Sequence, residues 1–327
     1  TQSITVHGEE VNVSLVAAPA SLNDIVVVGY GTQKKVDLTG SIATVGSKRL
    51  ENRPVTNVTN ALEGTMPGVT IVQNNGQPGH DAGTINIRGI GTLNGGTDPM
   101  IVVDGNIVSS MNSVDPNDIA TISVLKDAAA AAIYGSRAAN GVILITTKKG
   151  KAGTAQISYN DYFGKQKAIA LPQFLPSWQA ATLYNEALEN EGHATQYTDA
   201  EIDSFRTGNS PYNYPNTDWL GLFYSGSGFQ QSHNLNVSGG SDKTQYFFSL
   251  GYFDENGIVP KTNTQRYNTR LNISSKIADH LTVFANLSYT YQPVMQPQSS
   301  YPGVPAFSQM VRQINRISNS IPYKYAN

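Results

Sequence analysis

The sequence predicts a chain of two parts, a compact α+β region followed by the wall of a membrane β-barrel. Three observations lead there. Charged residues are only 14% of the 327, against roughly 25% in a soluble domain. Hydrophobic residues are 39%, and no apolar run reaches the roughly 18 residues of a membrane helix. The C-terminal half alternates apolar and polar residues with a period of two, over runs of about 9–11 residues, the length of a tilted membrane strand. A soluble β-sandwich has the same period, and composition with 30 glycines and 17 tyrosines does not separate the two. The aromatic strand ends Tyr252, Phe253, Tyr289 and Tyr291 favour the barrel, because aromatic girdles mark membrane interfaces.

Taken in order, residues 1 to 20 read as the end of a small β-domain. Ile4-Thr5-Val6 and Val11 to Leu15 alternate around a turn at Gly8-Glu9. The chain starts Thr1-Gln2-Ser3, so a mature form or a fragment is expected. Residues 21 to 34 are a linker carrying Asp24-Ile25-Val26-Val27-Val28-Gly29-Tyr30-Gly31. This short β-branched run is poorly placed to pair with its own neighbours. It is suited to be lent to another protein as an added strand, with a buried core strand as the alternative.

Residues 35 to 150 are the α+β region. Asn57 reads as the N-cap of a helix carrying Val58, Ala61 and Leu62. Strands are expected at Val69 to Val72, Thr84 to Arg88, Met100 to Val103, Thr121 to Leu125 and Val142 to Thr147. Asp104-Gly105 is a hairpin turn. Asp115-Pro116 pairs a cap with a proline at the first helical position. Asp127 to Tyr134 reads as an alanine-rich helix ended by Gly135. Residues 151 to 327 are wall strands with their loops. A strand from Gln156 to Phe163 is followed by a connection of more than sixty residues, with one helix from Ser177 to Asn190. Alternating strands then run through Leu235 to Val237, Tyr246 to Tyr252, Leu271 to Ile273 and Leu281 to Tyr291. Short and long connections alternate between them, as in outer-membrane barrels.

Several classes of chemistry are excluded. Without cysteine there is no disulfide framework and no thiolate metal site. A net charge of −2 gives no footprint for nucleic acid. The five histidines are scattered without metal-ligand spacing, Gly29-Tyr30-Gly31 and Gly89-Ile90-Gly91 lack dinucleotide-loop spacing, and Asp254 to Gly257 lacks the alternating ligands of a calcium loop. No catalytic set, metal site or cofactor is expected.

Ordered motifs carry a resemblance. Leu22 to Lys35 followed by Leu38-Thr39-Gly40-Ser41, then Ala61-Leu62-Glu63-Gly64, Pro67-Gly68-Val69, Ile87-Arg88-Gly89-Ile90-Gly91, Val103-Asp104-Gly105, Val124 to Ala128 and Ile133 to Ile143 resemble the SusC/RagA-like TonB-dependent transporters of bacterial outer membranes. The resemblance implies a membrane β-barrel with an α+β plug domain in its lumen, about 22 strands in all. Only about the first five are present here. Residues 1 to 20 would end a carboxypeptidase-regulatory-like domain. Asp24, Ile25, Val26, Val27, Val28 and Gly29 would bind TonB, which the ExbB/ExbD system energises. Arg88, Asp104, Lys126, Asp127 and Arg137 are the charged plug-motif residues, read as structural ion pairs or as groups acting in plug release. Asn74, Asn75, Gln77, His80, Asp81 and Asn94, in two polar glycine-rich loops, are either substrate contacts or plain surface turns. The implied partners are TonB, a SusD/RagB-like lipoprotein and outer-membrane lipids, and a dimer of importer–lipoprotein pairs is left open. The implied cargo is an oligosaccharide, with a peptide as the known exception. A siderophore or cobalamin receptor and a non-transporting glycan-binding surface protein are the competing readings.

Overall fold

The computed structural model of the chain describes residues 25–28, 31–34, 42–51, 56–73, 75–92, 96–127, 131–298 and 306–324. The hairpin expected within residues 1 to 20 lies outside the described residues.

The α+β domain is built on a five-stranded sheet. Its strands are β3 (Ile42–Gly46), β6 (Met100–Val103), β7 (Asn106–Val108), β8 (Ile119–Leu125) and β9 (Val142–Thr147), in the order β3-β8-β9-β6-β7. β6 and β9 are parallel and the other pairs antiparallel. Val142-Ile143-Leu144-Ile145 is continuously apolar because this central strand is covered on both faces. Ile143 and Ile145 pack with Val45, Leu50, Val58 and Leu62, while Val142 and Leu144 pack with Val102, Leu125 and Ala138. The first group brings in α1 (Ser47–Glu51) and α2 (Val58–Leu62). Asn57 caps α2 as expected, its Oδ1 accepting from Asn60 N at 2.8 Å. A separate pair, β4 (Val69–Val72) and β5 (Thr84–Ile87), is antiparallel.

Two turns fix the positions that matter later. Between β6 and β7, Asp104 has φ 47 and Gly105 φ 88, so both central residues are left-handed, as a tight hairpin turn requires. Asp115 caps a 3₁₀ turn at Pro116–Asp118, with proline at its start. One expectation holds only in part. Ala131 is helical, its N donating to Asp127 O at 3.0 Å, but Ala132–Ala138 is a 3₁₀ turn that Gly135 kinks (φ 70, ψ −160) and does not end. A glycine in a backbone conformation closed to other residues bends the chain and lets it continue.

The wall is an antiparallel meander of β10 (Gly153–Lys165), β11 (Phe229–Gly240), β12 (Thr244–Asn256), β13 (Asn263–Ala278) and β14 (Leu281–Tyr291). β15 (Val294–Met295) folds back onto the start of β13. The tight connections after Gly240 and Ala278 lie at one end. The excursion over 166–228 lies at the other. It holds α3 (Ser177–Asn190), α4 (Asp199–Thr207) and α5 (Trp219–Phe223). α4 carries a capping box, Thr198 with Glu201, and ends at left-handed Gly208. After the wall, α6 (Ala306–Ile314) packs near α5.

Register separates the two faces of the wall. His233, Tyr252, Tyr267 and Tyr291 are directly opposite one another across four strands. Their rings, with that of Tyr159, form a continuous row. Centroids are 6.2 Å apart for Tyr159–His233, 6.1 Å for His233–Tyr252, 5.1 Å for Tyr252–Tyr267 and 6.4 Å for Tyr267–Tyr291. Below the row the same face shows Leu235, Leu250, Ile157, Val237, Phe248, Leu271 and Leu287, an apolar band under an aromatic belt. Phe253 does not belong to this belt. One residue beyond Tyr252, it faces the α+β domain and is buried, since neighbouring strand residues point to opposite faces.

Candidate functional site

The N-terminal strand comes first along the chain. β1 (Ile25–Val28) pairs antiparallel with β2 (Gly31–Lys34), Val28 opposite Gly31 and Val27 opposite Thr32. The expectation that this run would not pair with its neighbours is therefore corrected: it pairs with the strand that begins at Gly31. In an antiparallel register of this kind the end pair, Val28 with Gly31, is the hydrogen-bonded one. Pairs then alternate, so the backbone N–H and C=O of Val27 and Ile25 point away from β2, to an edge that pairs with no other described strand. Asp24 and Gly29 lie outside the described residues.

The second feature is a set of buried charges joining the α+β domain to the wall. On the inward face of β13, alternate residues Arg266, Arg270 and Asn272 are all buried. They meet the sheet at the end where β6 and β9 finish and β8 begins. Arg270 Nη1 is 3.7 Å from Asp104 Oδ2, and its Nε is 3.4 Å from Asp118 Oδ2. Arg266 Nη2 is 3.6 Å from Asp115 Oδ2, its Nη1 donates to Thr56 O at 3.2 Å, and its guanidinium lies 5.2 Å from the Phe253 ring centroid. Asn272 Nδ2 donates to Thr147 Oγ1 (2.7 Å) and Lys148 O (2.8 Å). Thr147 in turn donates from N (2.9 Å) and Oγ1 (2.6 Å) to the Asp104 carboxylate. Ser249 Oγ on β12 donates to Asp118 Oδ1. Burial, then the neighbouring Asp115 charge, push the Asp118 carboxyl up to about 6, against the lowering effects of Ser249, Arg270 and Lys148.

The residues expected from sequence are distributed unevenly around this lock. Asp104 is in it. Arg88, itself at φ 60, pairs with Asp127 on the surface of the domain. Lys126 donates to Pro67 O, and Arg137 is exposed. In the polar loop, Gln77 is buried and its Nε2 donates to Gln296 Oε1 at 2.7 Å. Asp81 is buried and accepts from Thr56 Oγ1 and from Asn57 Nδ2, the latter at 2.8 Å. Asn75 Oδ1 accepts from Gln77 N at 3.0 Å, and His80 is exposed. This loop thus seats against the wall. A Cβ on Gly79 (φ 76) would stand 2.7 Å from Val294 Cγ2. Asn74 and Asn94 lie outside the described residues. Sequence reasoning missed Asp115, Asp118, Ser249, Arg266, Arg270 and Asn272 as members of one site. The signal was present in Arg266 and Arg270, two charges on the inward positions of an otherwise uncharged stretch.

Comparison with known proteins agrees with this architecture. Residues 34–142 match the TonB-dependent Receptor Plug Domain. TonB-dependent receptor P26 of Formosa agariphila is 36% identical over 280 residues, covering 84% of this chain and 27% of the relative. TonB-dependent receptor SusC of Bacteroides thetaiotaomicron is 35% identical over 291 residues, 86% of this chain and 27% of the relative. The chain thus spans about a quarter of the length of these relatives. Among solved structures, the RagAB peptide importer in its open-open state superposes with a TM-score of 0.71 at 30% identity, covering 86% of this chain and 34% of that one. On motifs, fold and relatives together, the chain belongs to the SusC/RagA-like TonB-dependent receptors and comprises their plug with the first strands of the barrel wall.

Proposed function

We propose that the whole protein imports a nutrient across the bacterial outer membrane, using force delivered by TonB. The observation that carries this reading is the edge of β1 that no described strand pairs with, ahead of a plug held to the wall by buried ion pairs. A strand with a free edge is a site for β-augmentation, and a plug held by breakable contacts is a barrier that force can remove. In this reading β1 and the tight connections of the wall face the periplasm, and the 166–228 excursion faces outward, following the usual arrangement of short inner turns and long outer loops. ExbB and ExbD energise TonB. A SusD/RagB-like lipoprotein covers the outer mouth, and the assembly is a dimer of importer–lipoprotein pairs.

The cargo is an oligosaccharide. A peptide is the second reading, favoured by the similarity to the RagAB peptide importer. In the outer excursion, a cleft of about 550 Å³ bordered by Phe174, Asn216, Asp218, Leu220 and Asn319 offers both apolar and polar groups to either cargo. The test is purification of the native full-length protein from outer membranes, with mass spectrometry of retained proteins and small molecules. A retained lipoprotein and glycan support the reading, a retained peptide supports the second, and a protein that neither retains a lipoprotein nor binds the TonB C-terminal domain overturns both.

A further inference from the structure

We infer that the contact between plug and wall is a proton-sensitive catch, in which Asp118 in its protonated form holds the plug more tightly than Asp118 in its ionised form. The inference rests on reading this domain as a plug that leaves the wall, and it is independent of TonB.

Three plug carboxylates, those of Asp104, Asp115 and Asp118, face two wall guanidiniums, those of Arg266 and Arg270. Relative exposures of 1% for Asp118, 4% for Asp115, 4% for Arg266 and 5% for Arg270 mean that the chain itself encloses them. Enclosed carboxylates are stable as anions only when paired or well hydrogen-bonded.

The three acids are not equally served. Asp104 accepts two hydrogen bonds from Thr147. Asp115 accepts from Asn117 N and Nδ2 at 2.8 and 3.0 Å, with Arg266 beside it. Asp118 has the Ser249 hydroxyl and a share of Arg270, whose Nε contact at 3.4 Å is an ion pair without hydrogen-bond alignment.

The charged surroundings of Asp118 are Asp115 on its own turn, Arg270 on β13 and Lys148 at the end of β9. The backbone N of Lys148 donates to Asp118 O at 2.8 Å. On α1, packed against the same turn, Arg49 is exposed. Asp118 is thus the least served of the three acids, buried beside Asp115 and sharing its guanidinium with Asp104. Its partner is also suited to a change of state, because a serine hydroxyl donates to a carboxylate and accepts from a carboxylic acid. Arg270 then remains with Asp104.

The direction follows from linkage. In the docked plug Asp118 takes up its proton at about pH 6, while in a solvated, displaced plug it does so near 3.8. The docked state binds more protons across that interval, so docking is strengthened below about pH 6, and the gain is lost as pH rises through that value. Between pH 7.5 and pH 5 the docking equilibrium shifts by about tenfold.

The experiment uses the full-length protein in planar bilayers, with urea titrated against single-channel conductance at pH 7.5, 6 and 5. Opening of the pore reports loss of the plug without TonB and without cargo. The expected result is a urea midpoint that rises on acidification, a D118N variant whose midpoint changes less with pH over this range than that of wild type, and an S249A variant whose transition moves to higher pH. A wild-type midpoint that does not change between pH 7.5 and 5, or a D118N or S249A variant with the wild-type profile, overturns the inference. A plug that urea releases normally while TonB fails to bind would instead count against the import reading.

Discussion

Replacing Arg270 by methionine keeps an unbranched apolar stem and removes the cation that Asp104 and Asp118 share. Arg270 is 3.7 Å from one carboxylate and 3.4 Å from the other, and all three groups have side-chain exposures of 7% or less, so solvent screens little of the loss. Removing one partner of a buried pair costs about 3–5 kcal/mol. The lower end applies here, because Asp104 retains its two bonds from Thr147 and Asp118 retains Ser249. About 3 kcal/mol corresponds to roughly a hundredfold weaker docking of the plug. The assay is leakage: entry of a large antibiotic normally excluded by the outer membrane, in cells making the full-length variant, together with protease sensitivity of the plug. R270K should be intermediate, since a point charge does not bridge two acids as a guanidinium fork does. R206M is the control, because Arg206 pairs with Asp203 at the surface with exposures of 64% and 52%, where ion pairs contribute under about 1 kcal/mol. If R270M membranes exclude the antibiotic as wild type does, the plug is not held by this site and the reasoning fails.

Three further outcomes are expected. V27P removes a backbone donor on the free edge of β1 and should lower capture by the TonB C-terminal domain at least tenfold in a pull-down, with antibiotic exclusion unchanged; V26P, whose donor faces β2 in this register, should lower it less. G79V forces a side chain into Val294 and Thr264 at a left-handed backbone position and should cost the plug about 2–4 kcal/mol of seating, read as a lower urea midpoint for pore opening. T147V preserves shape but leaves Asp104 Oδ2 and Asn272 Nδ2 with one partner fewer, so the same midpoint should fall by an amount equivalent to about 1–3 kcal/mol.

What was legible in the sequence was short in range. Asn57, Asp104-Gly105 and Asp115-Pro116 announced their turns because capping and left-handed conformations demand those residue types. Period-two alternation gave the wall strands, but Arg266 and Arg270 were not singled out on them. Their partners were not legible, since Asp115 and Asp118 reach β13 only through tertiary packing. Phe253 was misread as part of the belt, although its parity with Tyr252 already placed it inward. The kink at Gly135 depended on tertiary context that alanine propensity does not report. The capping box at Thr198 and Glu201 was a readable signal that went unread. For substrate contacts, local polarity in 74–81 did not reveal that Gln77 and Asp81 are taken up by the domain and the wall.

The lock also has a consequence for biogenesis. The plug precedes the wall along the polypeptide, yet Asp104, Asp115 and Asp118 find their cations on the fourth strand of that wall. Contacts so distant in sequence form late. While the chain is being delivered to the membrane, the plug therefore carries three aspartates in search of β13, and their mutual repulsion keeps that face hydrated and discourages premature, misregistered docking. Arrival of the fourth strand supplies the two guanidiniums, so seating of the α+β domain waits on the formation of β13.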